Sequence, residues 1–107
     1  MSADRLSQLE KMAMENPEDR DLRYFLATEY FGMQRYADSL RELEQYFRSG
    51  DDEGVGFKMR AICLFHLGRK DEARAALQSG IAAANRHHHS VLAAQIGETL
   101  QELFPEP

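Results

Sequence analysis

The chain repeats itself at an interval of 34 residues. Leu9, Leu43 and Leu77 stand one interval apart, and Ala27 matches Ala61, Phe31 matches Phe65 and Arg35 matches Arg69 at the same offset. A period of this size belongs to stacked pairs of helices, each pair too thin to bury its apolar faces alone. It argues for a scaffold of repeated surfaces and against one core built round a catalytic centre. It leaves open what those surfaces bind.

Apolar spacing inside the interval reads as six helices and no strand. The first covers about residues 4–15, with Leu6, Leu9 and Ala13 on one face, and Asn16-Pro17 stops it. The second covers about 19–33 with the stripe Leu22, Phe25, Leu26, Tyr30 and Met33. A tight connection at Gln34-Arg35 leads to a third over about 36–49, carrying Tyr36, Leu40, Leu43 and Phe47. Gly50 suits a helix stop, and residues 49–54 read as a polar loop. The fourth covers about 55–67 with Phe57, Ala61, Leu64 and Phe65, and Gly68 ends it. The fifth covers about 70–85 with Ala73, Leu77, Ile81 and Ala84. Its small residues Ala75, Ala76, Gly80, Ala82 and Ala83 permit close helix approach. After a polar break at Asn85-Arg86-His87-His88, the last covers about 89–104 with Leu92, Ile96, Leu100 and Leu103.

These segments divide the chain into a half-repeat helix at 4–17, one repeat at 20–53, a second at 54–87, a capping helix at 89–104 and a frayed tail at 105–107, all within one expected domain. Connections this short make each pair antiparallel.

The residues resemble the tetratricopeptide repeat family. In the first unit the likeness is carried by Leu26-Ala27, Tyr30 and the turn Arg35-Tyr36-Ala37-Asp38-Ser39-Leu40. In the second it is carried by Ala61, Leu64 and Leu67-Gly68-Arg69-Lys70-Asp71-Glu72-Ala73. Ala27 and Ala61 match the family's small residue at the helix crossing, Ser39 and Ala73 match that of the second helix, and Pro17 fits the inter-repeat proline. The chain departs from the family where Gln34 replaces the turn glycine, where Asp51 and Asn85 replace the recurring proline, and where Arg23 and Phe57 replace the usual Trp. It is also similar to small stand-alone bacterial proteins of this type. The resemblance implies an all-α fold whose antiparallel helix pairs stack as a right-handed superhelix. It further implies a concave groove lined by Tyr24, Thr28 and Phe31 in the first unit and by Lys58, Ile62, Phe65 and His66 in the second, with Leu92 and Ile96 continuing the row.

Such a groove suits an extended peptide or an amphipathic helix of another protein. We therefore expect a non-catalytic protein–protein interaction module, acting as adaptor or scaffold, with no cofactor. A homo-oligomer joined through apolar end faces, above all the row of Leu92, Ile96, Leu100 and Leu103, is the alternative. A clamp for a C-terminal carboxylate is disfavoured, because Thr28 and Ile62 stand where donors are needed and only Lys58 fits.

Composition narrows the partners. At 43% apolar and 29% charged the chain is that of a folded protein. A formal charge of −5 gives no overall attraction to nucleic acid or anionic lipid. One cysteine, Cys63, forms no disulfide within the chain, and residues 1–5 have no apolar signal core, so a cytoplasmic protein is expected.

Other chemistry finds little support. The tract His87-His88-His89 lacks the i, i+3 or i+4 spacing that puts ligands on one helix face, and no acidic residue follows before Glu98. It reads as a solvated turn, so no metal is expected. Cys63 lies beside the apolar stripe and reads as a small core residue, despite Arg60 and His66 nearby. Gly50, Gly54 and Gly56 lack the Lys-Ser/Thr of a phosphate loop. Arg41, Glu42, Glu44, Gln45 and Arg48 read as one solvated face.

Overall fold

The computed structural model describes residues 3–106. Met1, Ser2 and Pro107, the last being part of the expected tail, lie outside the described residues. The chain is all-α: α1 (Ala3–Glu15), α2 (Arg20–Gly32), α3 (Tyr36–Phe47), α4 (Val55–His66), α5 (Lys70–Arg86) and α6 (Ser90–Leu103). No strand occurs among the described residues, and no helix is long and apolar enough to cross a membrane. The helices form two compact units, one ending at Gly50 and one beginning at Asp51.

The first unit holds α1–α3. Leu6, Leu9 and Ala13 of α1 pack on Leu26 and Tyr30 of α2. The Tyr30 hydroxyl donates to Glu10 Oε2 at 2.7 Å, tying the two helices at their polar edge. α2 and α3 run antiparallel, since Tyr24 meets Tyr46 and Phe31 meets Tyr36. At the crossing Ala27 has no exposed surface, and the buried Ser39 hydroxyl donates to its carbonyl at 2.8 Å. A side chain larger than Ser at either position would force the helices apart.

The second unit holds α4–α6. Ala61 and Ala73, the counterparts of Ala27 and Ser39, are fully buried, as are Leu77, Cys63 and Ile96. Gly54 approaches α5 closely: a Cβ built there would stand 3.1 Å from the Gly80 carbonyl. Asp52 caps α4, its two carboxylate oxygens each accepting a 2.8 Å hydrogen bond, from the N–H groups of Gly54 and Gly56.

One turn occurs three times. After α2, α4 and α5 a residue with positive φ follows: Gln34 at 59°, Gly68 at 80° and His88 at 61°. The next residue's N–H then reaches back five residues, Arg35 to Tyr30, Arg69 to Leu64 and His89 to Ala84, at 2.8–2.9 Å. This is the Schellman closure, which satisfies carbonyls that the helix end leaves open. The first two turns lie one interval apart, and the arginine after each pairs with an acid three residues on. Arg35 Nε meets Asp38 Oδ2 at 2.8 Å, and Arg69 Nε meets Glu72 Oε2 at 2.6 Å. Burial disfavours the Asp38 carboxylate, but hydrogen bonds from Arg35 and Arg41 outweigh it and hold the carboxyl below its usual value. The hydrogen bond from Arg69 does the same for Glu72.

Three readings of the sequence need correction. Phe25 and Met33 are not part of the buried stripe of α2, being 56% and 38% exposed, because α3 and α1 cover only the faces of Leu22, Leu26, Ala27 and Tyr30. Glu42 is not on a solvated face. It is 7% exposed, and its Oε1 accepts from Arg23 Nη1 at 2.8 Å. Arg23 and Glu42 hold the repeat positions of Phe57 and Ala76, so a polar pair in one unit stands for an apolar pair in the other. Third, the small residues of α5 do not share one role, since Ala76, Gly80 and Ala83 are buried whereas Ala75 and Ala82 face solvent.

Candidate surface for a protein partner

In the first unit the expected row lies along α2. Tyr24 is half-buried, its ring 5.3 Å from that of Tyr46. Tyr46 also meets a cation, the Arg20 guanidinium lying 4.1 Å from its centroid. The same guanidinium donates to the carbonyls of Tyr46 and Gly50 and to Ser49 Oγ, pinning the end of α3. Thr28 is exposed, and its hydroxyl donates to the Tyr24 carbonyl one turn back at 2.9 Å. Phe31 is half-buried, edge-on to Tyr36 at 5.8 Å. These three residues flank the α2–α3 contact and leave part of each side chain open.

In the second unit Lys58, Ile62 and Phe65 are half-buried on α4, and His66 is exposed. Phe65 repeats the setting of Phe31. The residue five positions on covers its ring, Tyr36 in one case and Lys70 in the other, with the Lys70 ammonium 5.3 Å from the Phe65 centroid. Phe65 also meets His66 edge-on at 5.9 Å. Leu92 is half-buried on α6, but Ile96 is fully buried inside the unit and so does not continue the expected row.

Two neighbours escape sequence reasoning. Phe104, beyond the end of α6, sits edge-on to Phe65 at 5.6 Å. Nothing in linear spacing links them, because the reversal at His88 brings them together. The histidine tract likewise meets an acid upstream of it. Glu53 Oε2 lies 2.5 Å from His89 Nε2, and Glu53 Oε1 lies 3.7 Å from His87 Nδ1. Linear spacing gives no signal for this contact either, since Glu53 and His89 meet across a chain reversal. The α4–α5 hairpin returns the end of α5 to the start of α4. No group of three His, Cys, Asp or Glu side chains among the described residues converges as a metal site requires. Cys63 is wholly buried, which makes it a core residue, shut off from reagents in solvent.

No family model, no curated protein and no solved structure matches the chain.

Proposed function

We propose that the chain is a protein–protein interaction module of tetratricopeptide type, its helix pairs stacked as the right-handed superhelix of that family. It binds a peptide or helix of another protein without catalysing a reaction. The reading rests on one observation above all: Phe31 and Phe65 hold the same repeat position and the same half-exposed setting. A side chain selected only for packing has no need to stay half in water at both places. Large aromatics that keep one face open are the residues that carry binding energy, roughly 2 kcal/mol or more for a hot spot. Tyr24, Thr28, Lys58, Ile62 and His66 supply the polar and apolar contacts round them. An adaptor of this kind would work in the cytoplasm.

Selection from a displayed library of random peptides tests the reading. Wild-type protein should enrich a related set of peptides, and the Phe31→Ala/Phe65→Ala double variant should lose that enrichment with its far-UV circular dichroism unchanged. Enrichment that survives the double substitution would overturn the assignment of the site. A concentration-dependent mass by light scattering, with no peptide enriched, would replace the adaptor by a self-assembling subunit.

A further inference from the structure

The first side chain beyond α6 turns back onto the unit. Phe104 leaves the helix with φ −131° and ψ 64°, and its ring stands at 88° to that of Phe65. The Arg74 guanidinium of α5 lies 4.6 Å from the Phe104 centroid. The Lys70 ammonium, one turn earlier on α5, lies 5.3 Å from the Phe65 centroid. An aromatic side chain is thus held by an edge-to-face ring and by a cation, the arrangement that the quadrupole of a π-system favours. Both rings are half-buried, so the pair sits at the surface of the unit. Beside it Leu100, Gln101, Phe104, Pro105 and Glu106 line a hollow of about 410 Å³.

We propose that Phe65, Lys70 and Arg74 form a receptor for an aromatic residue of a partner segment, and that Phe104 fills this receptor in cis. The proposal deepens the interaction reading and rests on it. The resident segment displays the ligand chemistry. Its ring takes the aromatic place, edge-on to Phe65 and under the Arg74 guanidinium. Pro105 keeps the chain after that ring from continuing the helix. A tethered occupant acts at an effective concentration of about millimolar, so a partner binds only by outcompeting it.

The test uses the full chain carrying Phe104→Ala and, as probe, a capped synthetic peptide of residues 100–106 of this sequence. The peptide should shift the NMR signals of the Phe65 and His66 rings saturably in the Phe104→Ala protein. Binding to wild type should be at least about tenfold weaker, because the cis segment competes. Adding Phe65→Ala, or replacing the peptide's own phenylalanine by alanine, should abolish the shifts. Should Phe104→Ala lose its helical circular dichroism, Phe104→Leu keeps the apolar volume and removes the ring. Absence of saturable shifts in a folded variant, or equal binding by wild type, would overturn the receptor. If the displayed library still separates wild type from the double variant, the wider reading survives that failure. If both experiments fail, it does not.

Discussion

Gln34 and His88 hold a backbone conformation in which a Cβ crowds the following carbonyl, with φ at 59° and 61°. Gly68 occupies the same turn without that crowding, since a Cβ there would meet nothing but would still be strained at φ 80°. We expect Gln34→Gly and His88→Gly each to stabilise the protein by about 0.5–1 kcal/mol, the relief of strain exceeding the added freedom of the unfolded chain. The measurement is the denaturant midpoint at constant m-value. A lowered midpoint in either variant would show that the side chain contributes more than its backbone costs. This turn was half legible in the sequence. Gly68 announces itself and Gln34 is marked only by standing one interval before it, whereas His88 carries no conformational signal, because tertiary packing of the flanking helices enforces a conformation that both side chains oppose.

At the scale of the element, helix approach is set by missing side chains. A Cβ on Gly80 would stand 3.0 Å from Phe57 Cβ and 3.3 Å from Ile96 Cδ1. Phe57 Cβ is fixed to its backbone and has no rotamer that avoids the contact, so α4 itself must shift. Gly80→Ala should therefore destabilise by about 1–3 kcal/mol, even though alanine is the better helix former. Gly97 on α6 has nothing within 4 Å of its would-be Cβ. Gly97→Ala should stabilise by about 0.5–1 kcal/mol through helix propensity alone. Thermal unfolding of the two variants, followed by circular dichroism, should move the melting temperature in opposite directions. A rise for both would mean that α4 and α5 have slack that the close approach does not suggest.

One phenol gives the stability of the molecule a dependence on alkali. Burial, then the hydrogen bond to Glu10 and the charges of Glu10 and Glu42, push the Tyr30 hydroxyl up to about 12, against the pull of Arg35. Because the folded value lies above the unfolded one of about 10, folding favours the protonated phenol. That contribution is complete below about pH 10 and is lost as pH rises to about 12. Tyr30→Phe should flatten this alkaline limb of the stability curve. At neutral pH it should cost about 1.5–3 kcal/mol, the worth of a hydrogen bond to a charged acceptor. Urea unfolding across the alkaline range reads both effects, and an unchanged limb would place the alkaline transition elsewhere.

The sequence by itself determined the helices and their order. Apolar spacing is a local property, and the starts of α3 and α5, at Tyr36 and Lys70, fall one interval apart just as the repeat requires. It also determined the small-residue crossings at Ala27 with Ser39 and at Ala61 with Ala73, because only small side chains let two backbones meet there. The tertiary structure alone decided which member of an apolar stripe stays wet. Phe25 and Leu26 are adjacent and equally apolar, yet only Leu26 points at α1 and the core, so Phe25 is left open. Tertiary structure also chose the partners of charged and aromatic groups. Arg23 finds Glu42, Glu53 finds His89, and Phe65 finds Phe104 across chain reversals. Periodicity fixes which face a residue occupies on its own helix. It carries no information about which residue of a distant helix will arrive opposite, and that is set by the turn geometry at Gln34, Gly68 and His88.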